Sequence, residues 1–288
     1  MAQLIRADSI NFAEYERNTE AEHKVRAAAD FFDDVRAKFV HRDSGKRSPS
    51  MFSTKAGGLI EFRPGEVTAW AGYNGHKKSM FVSQVVMDLC VQRERVLVAS
   101  MEMSPAETLA RMSRQASGTA RPHEQWLSAF EAWTRGRLWI FDHIGRVSPE
   151  MCLGLCRYFS QELRGSHIII DSMMMVCASE EHMDEQKQFV TDLVRIAQEC
   201  AVHVHLVTHC RKPANGAGEE KPPTKYDIRG AAAISDQVAN VITVWSDKRK
   251  AQRLEDNPMN SEEAAKPDAL VTVEKQRNGS WEGRMRLW

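Results

Sequence analysis

Short apolar runs alternate with amphipathic stretches along most of the chain. The runs at 67–71 (VTAWA), 95–101 (RVLVASM), 137–141 (RLWIF), 166–171 (SHIIID), 202–208 (VHVHLVT) and 239–245 (ANVITVW) are too short for helices and predict buried strands. Helical stretches lie near 79–92, 104–117, 122–134, 148–163 and 183–200, where apolar residues recur every three or four positions. Strands alternating with helices imply an α/β domain, a mostly parallel sheet covered on both faces. The last 20 residues change character and read as two strands around Asn278-Gly279, a hairpin capping the sheet. Ahead of this pattern, residues 1–21 are polar and read as irregular. Residues 22–40 form an amphipathic helix through Val25, Ala29, Phe32, Val35 and Phe39, and a Ser/Gly/Lys-rich loop follows. The chain therefore divides into an extension, 1–50, and a single α/β domain, 51–288.

Composition narrows the classes. Apolar residues make up 42% of the chain, enough for a sizeable core. Lysines and arginines equal the acids, 39 of each, so no uniformly basic coat exists and any nucleic-acid contact must be local. The six cysteines form no CxxC pair, which excludes a zinc ribbon and points to reduced thiols. With no apolar run of about 18 residues and no secretory h-region at the start, a cytoplasmic location is expected.

Chemistry concentrates at the ends of the strands. The first run leads into Gly72-Tyr73-Asn74-Gly75-His76-Lys77-Lys78-Ser79, and a helix follows. A strand, a glycine-containing turn and a helix opening on Lys-Ser make a phosphate-binding P-loop. Successive N–H groups face a polyanion, the lysine meets the β- and γ-phosphates, and the serine hydroxyl binds Mg²⁺. The pattern GxxxxGK[ST] has glycine where this chain has Lys77, and a side chain there crowds the nucleotide or twists the loop. The second run ends at Glu102, just before Ser104-Pro105, with Glu107 placed for a capping box. A carboxylate at the C-terminal rim of an open sheet can orient a water. The fourth run ends at Asp171, in the Walker B form that holds Mg²⁺ beside the P-loop serine. The fifth ends at His209, a polar residue placed to contact a γ-phosphate, whereas His203 and His205 read as structural.

Together these segments resemble the DnaB-like and phage or mitochondrial replicative helicase family. The resemblance rests on the GYNGHxKS wording of the P-loop, SMEMSPAE, HIIIDS, LVTHCRKP, DIRGAAAISDQVANVITVW and EKQRNG, in family order over roughly residues 55–288. It implies a RecA-like ATPase motor using ATP or another NTP with Mg²⁺. It assigns Lys78 and Ser79 to phosphate and metal, Glu102 to the catalytic base, Asp171 to Mg²⁺ and His209 to γ-phosphate sensing. Lys275 and Arg277 match the family's piston lysine and arginine finger, which act on a neighbouring subunit's nucleotide in a ring, expected to be a hexamer. Single-stranded DNA contact is expected from Met173 to Lys187 and from the stretch holding Arg211, Lys212, Lys225, Arg229 and Gly230. Primase and DNA polymerase are the implied partners, in a bacterial or phage-infected cell. Two alternatives stay open: a recombinase-like or regulatory DNA-binding ATPase without unwinding, and a nucleotide-binding assembly protein whose hydrolysis Lys77 impairs.

Overall fold

In the computed structural model the described residues are 3–6, 49–51, 59–177, 183–211 and 219–288. The expected helix at 22–40, residues 178–182 of the first DNA-loop candidate and Lys212 lie outside them. In chain order the elements are β1 (Gln3–Arg6), β2 (Val67–Ala71), α1 (Lys78–Val91), β3 (Val96–Ser100), α2 (Pro105–Ser117), α3 (Glu124–Thr134) and β4 (Leu138–Asp142). There follow α4 (Pro149–Leu163), β5 (His167–Asp171), α5 (Met183–Glu199), β6 (His203–Val207), α6 (Ala231–Gln237) and β7 (Asn240–Ser246). The last four are α7 (Lys250–Asp256), α8 (Ser261–Ala264), β8 (Ala269–Gln276) and β9 (Gly283–Leu287).

Nine strands form one sheet in the order β1-β4-β3-β5-β6-β2-β7-β8-β9. Strands β1 to β7 pair in parallel, and β8 and β9 close one edge in antiparallel register. Strands β2, β3, β5, β6 and β7 are buried at every position, which is why they read as apolar runs rather than as alternating patterns. Side chains still alternate between two cores. Leu97 and Ala99 of β3 join Phe159, Phe189 and Leu193 on one side, and Val96 and Val98 join Phe81, Val85 and Phe130 on the other.

Helix starts follow local chemistry. Ser104 accepts from the Glu107 N–H while Glu107 reaches back to the Ser104 N–H, the reciprocal capping box expected from the sequence. Ser148 caps α4 in the same position before a proline. One expectation needs correction: residues 3–6, read as irregular, form β1 against β4. A four-residue edge strand is held by backbone pairing and leaves no side-chain pattern to read. All six cysteines are free thiols, five of them buried. No described helix is long and apolar enough to cross a membrane.

Candidate nucleotide site

The parallel sheet brings the C-terminal ends of β2, β3, β5 and β6 to one edge, and the predicted chemistry meets there. β2 sits between β6 and β7 and delivers residues 72–77 to that edge, where α1 begins. A side chain at Gly72 would collide with the Val244 carbonyl oxygen, so the turn accepts only glycine. Lys77, at the N-cap of α1, has φ 61 and ψ 23 and makes no side-chain capping bond. This left-handed conformation is the one that glycine adopts without steric cost, and a lysine holds it under strain.

Lys78 is buried, and its ammonium donates to the carbonyls of Gly72 at 3.0 Å and Tyr73 at 2.8 Å. It also lies 3.3 Å from His209 Nδ1. An ammonium only donates, so His209 Nδ1 accepts and the ring proton sits on Nε2. That Nε2 lies 3.9 Å from Glu102 Oε1, and the Ser172 hydroxyl donates to the same oxygen at 2.7 Å. The His209 ring, the Ser172 hydroxyl and the Lys78 charge hold the Glu102 carboxyl down at about 2, against partial burial. Burial lowers the pKa of Lys78, and the charges of Asp171 and Glu102 oppose the shift.

Asp171 is buried at the end of β5, where its carboxylate bonds the Ser79 hydroxyl. Burial raises its pKa, and the Ser79 bond works the other way. The peptide bond from Asp171 to Ser172 is cis. Two hard oxygen donors side by side at a helix start fit Mg²⁺, which takes one or two protein ligands and keeps its remaining waters. A small cavity beside them is lined by Ser79, Ser83, Ser100, Thr108, Arg111 and Asp171. Thr108 Oγ1 is buried without a hydrogen-bond partner among the described residues.

Two larger cavities flank the P-loop. One, of about 250 Å³, is lined by His76, Glu219, Trp245, Asp247, Lys248 and Arg249. The other, of about 240 Å³, is lined by Asn74, Glu102, Met174, His209, Glu219 and Arg229. His76 is buried, accepting the Ser246 N–H on Nδ1 at 3.3 Å and meeting Glu219 at 2.9 Å on Nε2. Lys248 donates to Asn74 O at 3.0 Å.

The remaining candidates lie elsewhere. Lys275 donates to the carbonyls of Ser235, Asp236 and Val238, and Arg277 to that of Asp236, so both grip the C-terminal end of α6. Gly230 is buried with φ +72 and opens α6, a conformation that explains the glycine. Arg229 lines the cavity of Glu102 and His209, while Arg211 is exposed. Lys225 stands over the exposed ring of Tyr226 at 5.5 Å. Sequence reasoning missed Ser172, Glu219 and Lys248. The first follows Asp171 directly and could have been found; the other two carry no motif.

Residues 58–215 match the AAA domain family. Among solved structures, the chain is similar to the ATPase domain of a phage protein at 16% identity and a TM-score of 0.68, covering 88% of this chain and 93% of that one. It is also similar to a DnaB-like replicative helicase, whose structure is described together with its interactions with primase, at 15% identity and a TM-score of 0.63. That alignment covers 88% of this chain and 63% of the helicase, so the chain spans less than two thirds of that relative. The matched residues and the sheet order, with β2 between β6 and β7 and a C-terminal hairpin, make this chain a member of the AAA domain family with the RecA-like fold of DnaB-like helicase ATPase domains.

Proposed function

We propose that this chain is the motor of a replicative-type DNA helicase, hydrolysing an NTP to translocate on single-stranded DNA and unwind duplex. The observation that carries the reading is the convergence of Lys78, Ser79, Glu102, Asp171 and His209, drawn from four strand ends, in one hydrogen-bonded group. Backbone N–H groups at the start of α1 and the Lys78 ammonium bind the phosphates. Binding draws that ammonium from the Gly72 and Tyr73 carbonyls to the nucleotide. Ser79 and Asp171 hold Mg²⁺, which supplies charge neutralisation along the phosphate chain. Glu102 positions the attacking water. A carboxylate held near 2 by its neighbours is a weak base, so its work is orientation more than proton removal. His209, bonded to Lys78 on one nitrogen and facing Glu102 with the other, reports the state of the γ-phosphate to the stretch that follows β6.

In this reading residues 51–288 are the motor. Residues 1–50 carry a linker helix that docks on the next subunit of a ring, a hexamer. Lys275 and Arg277 reach the neighbour's nucleotide from the hairpin, leaving the end of α6. Arg211, Lys212, Lys225 and Arg229, on a turn set by Gly230, contact the DNA backbone, and the exposed Tyr226 offers a face for base stacking. Primase and polymerase are the partners, in the cytoplasm of a bacterial or phage-infected cell.

The test is ATP-dependent strand displacement on a forked DNA, run beside phosphate release, for the chain and for its Lys77→Gly variant. DNA-stimulated hydrolysis with unwinding is expected. Hydrolysis with filaments but no unwinding in either protein supports the recombinase-like alternative, and no hydrolysis in either overturns the motor.

A further inference from the structure

The two cavities beside the P-loop are separate only because of one side chain. Glu219 lines both of them. Its carboxylate lies 2.9 Å from His76 Nε2 and 3.1 Å from Lys248 Nζ. Lys248 in turn donates to Asn74 O of the P-loop at 3.0 Å. The Glu219 backbone is held independently, its carbonyl accepting the Trp245 indole N–H at 2.8 Å. The Ser246 N–H donates to His76 Nδ1, so the imidazole is neutral with its proton on Nε2 and donates to the Glu219 carboxylate.

We propose that Glu219 is an acidic latch that closes the middle of the nucleotide cleft, pinned by His76 and Lys248, and that a nucleotide must displace it to occupy both cavities. The inference rests on the nucleotide reading of this site and adds a regulatory contact to it. A nucleotide is long, with a base at one end and an anionic phosphate tail at the other. It needs both cavities at once, and each alone has only about 250 or 240 Å³. Its phosphates are the ligands best suited to take Lys248 and the His76 N–H from a carboxylate, because they offer the same anionic oxygens at higher charge. The latch is also cheap to open. The Glu219 side chain is 26% exposed and that of Lys248 46%, so solvent screens the pair. The Trp245 bond keeps the backbone in place while the side chain swings.

A binding site that is open only part of the time loses apparent affinity by the open fraction. Removing a latch closed about nine-tenths of the time therefore tightens binding about tenfold, equivalent to about 1.4 kcal/mol. Glu220 is the matched control. It carries the same charge one residue on but pairs with Arg249 and lines only the first cavity.

The experiment is equilibrium binding of mant-ADP with Mg²⁺, followed by fluorescence anisotropy, to the full chain and to its Glu219→Ala, Glu219→Gln and Glu220→Ala variants. Glu219→Ala is expected to bind about tenfold tighter, Glu219→Gln to fall between it and the parent, and Glu220→Ala to stay within twofold of the parent. Saturable parent binding that Glu219→Ala leaves unchanged or weakens overturns the latch while keeping the nucleotide site. An equal gain in Glu220→Ala overturns it too, because bulk charge then explains the effect. No saturable binding in any of the four overturns the nucleotide reading and the latch with it.

Discussion

Replacing Lys77 by glycine removes a side chain from a backbone position that disfavours one. Lys77 holds φ 61 and ψ 23 at the start of α1. The left-handed region costs a residue with a Cβ roughly 1–2 kcal/mol. Glycine regains that energy but loses about 0.4–1 kcal/mol through the greater freedom of the unfolded chain. The net expectation is a gain of about 0.5–1 kcal/mol for Lys77→Gly. At about 2–4 °C per kcal/mol for domains of this order, the melting temperature rises by about 1–4 °C. Lys77→Ala loses the same charge but keeps the Cβ, so it gains nothing from the backbone. The difference between the two variants isolates strain from electrostatics. Urea unfolding followed by far-UV circular dichroism measures it, with the slope checked for constancy. Alanine stabilising as much as glycine refutes the strain argument, because the ammonium would then be the cause. The same pair separates two effects on hydrolysis: a gain confined to glycine points to the shape of the loop, and one shared with alanine to charge.

Other outcomes follow from the same geometry. His167, His203 and His205 are buried with Phe62 and Trp70, and burial pushes all three below their ordinary value, His203 to about 4. The unfolded chain binds protons below about 6.5 that the folded chain refuses, so stability is full above that value and is lost as pH falls toward 4. His203 alone removes about 3 kcal/mol across that window. Urea midpoints that do not fall between pH 7 and 5 contradict this. Glu102→Gln keeps the shape of the site and its contact with Ser172, so mant-ADP binding should persist while phosphate release falls by on the order of 10²–10⁴. A fall of less than tenfold removes Glu102 from the chemistry. Lys275→Ala takes three donated hydrogen bonds from the end of α6 and should cost about 1–2 kcal/mol in urea unfolding. No change there means the grip on α6 is energetically idle.

Much of the fold was legible because its strands are buried on both faces. A parallel strand that water never touches has to be an apolar run, so β2, β3, β5, β6 and β7 stood out to within one residue at each end. The P-loop, Glu102, Asp171 and His209 were legible for a related reason, since open α/β sheets present their chemistry where such runs end. What stayed hidden depends on partners far along the chain. β1 exists through backbone pairing with β4. The short helices α7 and α8 are tied by Lys250 to Asp268 and by Arg253 to Glu263, ion pairs that follow no periodicity.

The sequence by itself determined the strands, the helix starts and the identities of the groups at the strand ends, because those depend on local burial and on the conformational preferences of neighbouring residues. Tertiary structure alone decided that Lys78, Glu102, Asp171 and His209 share one edge, since only the crossing order of the sheet sets which ends are neighbours. It also decided that Lys77 is strained, that three core histidines stay neutral, and that Glu219 lies across the cleft. Each of these is a matter of distance or dihedral angle, and a list of residues contains neither.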